Sequence, residues 1–83
     1  MVTSSFISME WGHLLWSSGQ FQRALDVYLD PETRESLRSI SLEMLARSHL
    51  SAAKCAIDLD DLPIAEKELR AVEQLQRESE GIS

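Results

Sequence analysis

Cysteine occurs once in the 83 residues, as Cys55, so no disulfide can close within the chain. A lone thiol suits a reducing compartment, and a cytoplasmic location is expected. That cysteine and two histidines, His13 and His49, are too few for a zinc site. Basic residues are scarce as well: eight Lys and Arg against fourteen Asp and Glu leave a net charge of −6. Nucleic acid is gripped through a basic stripe and anionic membrane through a basic patch, so neither is an expected partner. No apolar run approaches the ~18 residues of a membrane span. The opening Met-Val-Thr-Ser-Ser-Phe-Ile-Ser-Met-Glu has neither the basic start nor the apolar centre of a secretory leader. No alternating apolar pattern marks a strand, so the chain reads as all-α.

What is present is helical periodicity and a stretch of small residues. Ser48, Ser51, Ala52, Ala53, Cys55 and Ala56 form a slim band with no Gly or Pro in it. Such a helix lets neighbours approach on more than one side, and it is expected to be the middle of a stack. A chain of this length buries only about 60–65% of its unfolded surface. With no staple available, a partner chain is the expected remedy for a thin core.

Residues 1–5 are expected to fray, with Ser4 or Ser5 capping a first helix that runs to Ser17. Phe6, Met9, His13 and Trp16 make one stripe on it; Ile7, Trp11 and Leu14 or Leu15 make another. Trp11 and Leu14 are the favoured core residues. Gly19 closes this helix, and a second, over 20–29, folds back as a hairpin with Phe21, Ala24, Leu25, Tyr28 and Leu29 inward. Asp30-Pro31-Glu32 starts a third helix, with Asp30 as its cap. It is expected to run unbroken to Leu59, although Ser36, Ser39 and Ser41 weaken it near the middle. Asp60-Asp61-Leu62-Pro63 is the next turn, and a last helix over 62–77 follows. Ala65, Leu69, Val72 and Gln76 form its stripe, with Glu66, Lys67, Glu68, Arg70, Glu73 and Gln74 on the solvated remainder. Residues 78–83 are read as a frayed tail. The whole is one small helical domain of about four helices.

An internal repeat runs through this layout. Gly19, Phe21, Ala24 and Tyr28 align with Asp60, Leu62, Ala65 and Leu69, a displacement of 41 residues. A turn residue closes one helix, an apolar residue staples the corner, Ala permits close approach, and a large residue fills the groove behind. This spacing resembles the tetratricopeptide repeat. Trp11 and Gly12 stand where that family has its Leu-Gly pair, and Leu15 where it has Tyr; Ala52, Ala53 and Ala56 stand there in the second unit. The resemblance covers about 5–30 and 46–77, with 31–45 as an extended or inserted helix. Two departures accompany it. The family period is ~34 residues, seven fewer than here, and three units are usually needed for stability. Ser8 and His49 occupy the places of the family's large aromatic.

The resemblance implies a concave groove built from the first helix of each unit, receiving a partner's helix or extended peptide. Carried over by position, Phe6, Met9, His13 and Trp16 would line it from the first unit. Arg47, Leu50, Lys54 and Ile57 would line it from the second. Met and aromatics suit an adaptable apolar floor. The same side chains could equally be core, above all Met9 and Trp16. Some members of the family clamp a carboxylate with Lys and Asn. Here Met9 and His13 hold those places and only Arg47 and Ser51 match, so that clamp is not expected.

Catalytic chemistry finds little support. No Ser/His/Asp arrangement, phosphate-cradling glycine loop or paired-carboxylate cleft is readable. Glu10 and His13 share a helix face but lack further ligands for a metal. Asp58, Asp60 and Asp61 lack the Gly and Glu of a calcium loop, so helix ending explains them. Lys54 beside Cys55 would lower the thiol pKa, whereas the alanine-rich setting favours a plain core residue. The expected function is therefore a non-enzymatic protein-binding module or adaptor without cofactor or metal. Two variants stand beside it: a small acidic chaperone or assembly subunit of the kind serving secretion systems, and a unit that pairs with its own copy.

Overall fold

Five helices follow one another: α1 (Val2–Ser17), α2 (Phe21–Leu29), α3 (Pro31–Ile40), α4 (Leu42–Asp58) and α5 (Leu62–Ile82). The computed structural model describes the backbone of residues 2–82 and the side chains of residues 7–79. No strand occurs among the described residues, and the all-α reading holds.

The two hairpin turns are built alike. Gly19 sits at φ 85°, with its N–H on the Trp16 carbonyl (3.0 Å) and the Gln20 N–H on the Leu15 carbonyl (2.9 Å). Asp60 sits at φ 60°, with its N–H on the Ile57 carbonyl (3.0 Å) and the Asp61 N–H on the Ala56 carbonyl (2.8 Å). Each is a left-handed helix closure that satisfies orphan carbonyls through paired 6→1 and 5→2 bonds. Helix ends Ser17 and Asp58, turn residues Gly19 and Asp60, and helix starts Phe21 and Leu62 are each 41 residues apart.

Between the hairpins the expected long helix is broken. Ser41 is extended (φ −167°, ψ 131°) and caps both helices: its N–H donates to the Leu37 carbonyl at the end of α3, and its carbonyl accepts from the Leu45 N–H at the start of α4. Packing decides this. In one straight helix Leu37 and Leu45 would lie ~12 Å apart along the axis. The kink brings both into one buried cluster with Leu75. The weak helix formers Ser39 and Ser41 make the break inexpensive. Asp30 caps α3 as expected, accepting from the Thr33 N–H (3.2 Å) and hydroxyl (2.9 Å), with Pro31 in the first turn. At the chain ends the helices run further than expected, from Val2 rather than Ser4 or Ser5, and past Arg77 to Ile82. No Gly or Pro interrupts 2–5 or 78–80, and a helix already nucleated gains one bond per added residue.

The middle position of the small-residue helix is as expected. α4 packs on α2, α3 and α5. Ser48, Ala52, Ala53, Cys55 and Ala56 are all buried. Ala24 and Ala65, the paired positions of the two hairpins, are buried too. α1 differs. It docks on α2 through Gly12 and Leu15, and a Cβ on Gly12 would stand 2.8 Å from Cζ of the buried Tyr28 ring. That approach turns Trp11 and Leu14 outward, so the two residues favoured for the core are exposed. With a thickness of 17 Å against 39 and 30 Å, the molecule is a thin slab. A slab about two helix diameters deep leaves its end helices open on one side.

Candidate functional site

α1 and α4 run along one face with a depression between them. Met9, Glu10 and His13 form one wall; Met44, Arg47, Leu50 and Lys54 form the other; Tyr28 and Ser51 are the floor. The hollow measures about 290 Å³, near the lower bound for a ligand pocket. At its end lies a smaller recess of about 80 Å³ between His13, Trp16, Tyr28, Ser51 and Lys54. It has room for a short side chain and little more.

The recess is held by specific contacts. The Trp16 indole N–H donates to Asp58 Oδ2 at 2.7 Å, tying the C-terminal ends of α1 and α4 together. His13 stacks on the Trp16 ring at 6.0 Å between centroids. Trp16 stays 36% exposed, so one face of the indole is open. Met9 is half-buried and packs against both core clusters, which makes it floor as much as wall. Arg47 pairs with Glu43 one turn earlier, at 3.4 Å, on the exposed side of α4. Lys54 makes no ion pair among the described residues.

Of the residues singled out from the sequence, Met9, His13, Trp16, Arg47, Leu50 and Lys54 thus converge. Ile57 does not. It lines instead an open shelf of about 590 Å³ near the C-terminal end of α4, with Leu62, Leu69 and Val72 of α5. Lys54 and Ile57 are three residues apart and only ~60° apart round the helix, so what takes Ile57 out of the groove is that α5 folds back beside it and shares the space there. The Phe6 side chain lies outside the described residues. Glu10, Tyr28, Met44 and Ser51 were missed as lining. The signal existed for two of them: Tyr28 was the large residue behind the turn, and Ser51 belonged to the slim band.

A second polar cluster lies away from the groove. Glu68, assigned from its neighbours to the solvated face of α5, is only 2% exposed. Its Oε1 accepts from Arg34 of α3 and meets Nδ1 of His49 at 3.2 Å. Burial raises the Glu68 pKa, but the bonds from His49 and Arg34 and the Arg34 charge outweigh it, and the carboxyl ends below its ordinary value. The cluster reads as an internal latch joining α3, α4 and α5. Cys55 is the opposite case. Burial, and then Asp58, push its thiol up to about 11, so Lys54 does not activate it. Burial likewise raises the Tyr28 hydroxyl. No group of three metal-ligating side chains gathers among the described residues.

Comparison with family models, with curated proteins and with solved structures finds no match to this chain.

Proposed function

We propose that this chain is a non-enzymatic, tetratricopeptide-like binding module whose α1–α4 groove takes a short segment of another protein. The carrying observation is the convergence of Met9, His13, Trp16, Leu50 and Lys54 from two helices on one depression with an open indole at its end. An apolar side chain of the partner seats in the recess against Trp16, and a neighbouring carboxylate meets Lys54. Burying one Leu-sized side chain there contributes about 1.5–3 kcal/mol. A surface ion pair adds ~1 kcal/mol or less and mainly sets register. The 41-residue correspondence of the two hairpins supports the repeat-like reading. Among the described residues the Cys55 thiol is buried with its pKa raised and Glu68 is held by Arg34 and His49, which fits a binding role for the module.

Panning a random peptide library on the wild-type chain, with counter-selection on the Leu50→Glu/Lys54→Glu variant, tests this. Enrichment of segments with an acidic residue beside an apolar anchor is expected, with quenching of indole fluorescence that is lost in Trp16→Phe. Failure to enrich, or equal binding to the folded double variant, removes the groove as the binding surface.

A further inference from the structure

The two ends of the slab are complementary to each other. Inside the molecule, α2 meets α4 where Ala24 and Tyr28 pack with Ala52 and Cys55 in one buried cluster. Apply the 41-residue correspondence to both partners. Ser48, Ala52 and Cys55 of α4, all fully buried, correspond to Ile7, Trp11 and Leu14 of α1. Ala24 and Tyr28 of α2 correspond to Ala65 and Leu69 of α5. So α1 presents to solvent the face by which α4 is packed on α2, and α5 presents the face by which α2 receives α4.

Both faces carry exposed apolar side chains, although Ala65 itself is buried like Ala24. Ile7, Trp11 and Leu14 are exposed at one end of the slab, with Trp11 at 48%. Ile57, Leu62 and Leu69 are exposed at the other, with Leu69 at 45%. Sizes are exchanged between the inner and outer contacts. The inner contact sets the small Ala52 against the large Tyr28. Trp11 is the large residue at the position of Ala52, and Leu69 is smaller than Tyr28. The hollow of about 590 Å³ around Leu69, between α4 and α5, has room for an indole.

We propose that copies of this chain associate head to tail, with Ile7, Trp11 and Leu14 of one copy seated on the Ile57–Leu62–Leu69 shelf of the next, continuing the α2–α4 packing across the boundary. The occupant is a second copy because one chain carries both halves of the contact in the register its own interior uses. The contact is heterologous: each copy offers a different face at each end, so assembly extends beyond a dimer unless the rotation closes it into a ring. It leaves the α1–α4 groove free and is independent of the function proposed for that groove.

Sedimentation velocity of the full chain over a wide concentration range tests the proposal. Wild type forms dimers and larger species with rising concentration. Trp11→Glu and Leu69→Glu each sediment as monomers, because each lacks one of the two faces. Mixed in equal amounts, they recover a heterodimer and nothing larger, since one intact α1 stripe then meets one intact shelf. Ile7→Glu and Leu62→Glu serve as a second pair if circular dichroism shows either first variant to be unfolded. A wild type that stays monomeric overturns the proposal, as does a mixture that stays monomeric. So does a single variant that still dimerises, which would mean that like faces pair.

Discussion

Glu68 shows how much one side chain can depend on distant elements. It is buried with its carboxylate satisfied by Arg34 and His49, from two other helices. Its folded pKa lies below the ordinary 4.5. Above that unfolded value the charged carboxylate contributes its full stabilisation, and the contribution is lost as pH falls through the lower, folded value. Glu68→Gln leaves the Arg34 guanidinium, itself mostly buried, without its counter-charge. A loss of about 3 kcal/mol is expected at neutral pH, the low end for a broken buried pair because Arg34 keeps some solvent contact. Urea titrations at neutral and acid pH check both parts: the variant loses stability at neutral pH, and its acid limb is shallower than the wild type's. The joint replacement Arg34→Met/Glu68→Leu should restore wild-type stability or exceed it. Nothing in the chain's local pattern marks Glu68 as buried. It lies among Glu66, Lys67 and Arg70, and only the meeting with Arg34 of α3 and His49 of α4 separates it from them.

At the scale of elements, the turns were legible and the α3–α4 break was only half so. Gly19, Asp30-Pro31 and Asp60-Asp61 mark ends through local backbone chemistry, and helices stop and start within a residue or two of them. Asp60 in the left-handed region carries a cost that Gly19, at the matching turn, avoids. Asp60→Gly is therefore expected to stabilise the protein by about 0.5–1 kcal/mol. Thermal denaturation should show a midpoint higher by several degrees for a chain of this size. The break at Ser41 had a local hint in its serines, but no Gly or Pro compelled it. It exists because Leu37 and Leu45 gain a shared cluster by it.

For the whole molecule, the consequence of a slim central helix is that one element touches nearly everything. α4 packs on α2, α3 and α5, and Cys55 at its centre is fully buried. Exposing that thiol requires parting the hairpins from each other, which is close to unfolding the chain. Labelling of Cys55 by a thiol reagent near pH 8 is expected to follow global unfolding, with the same free energy and denaturant slope as loss of helicity. Labelling at markedly lower denaturant than unfolding would show that one hairpin opens alone. The raised thiol also gives an alkaline limb. Between the free-thiol value of 9.0 and about 11 the unfolded chain loses a proton that the folded chain keeps, so stability falls across that window.

The sequence by itself determined the all-α class, the two hairpin turns and the burial of most of the slim band, because propensity, capping and periodicity act over a few residues; the break at Ser41 and the reach of the end helices were not among them. The residues that the tetratricopeptide resemblance implied for a groove, Phe6 and Ile57 apart, line the depression between α1 and α4. The tertiary structure alone decided which of α1's two apolar stripes turns inward, that Ile57 belongs to the shelf rather than the groove, and that Glu68 is inside. Those outcomes depend on how helices cross. A crossing is set by the close approach of Gly12 to Tyr28 and by the kink that unites Leu37 with Leu45, between residues no local pattern connects.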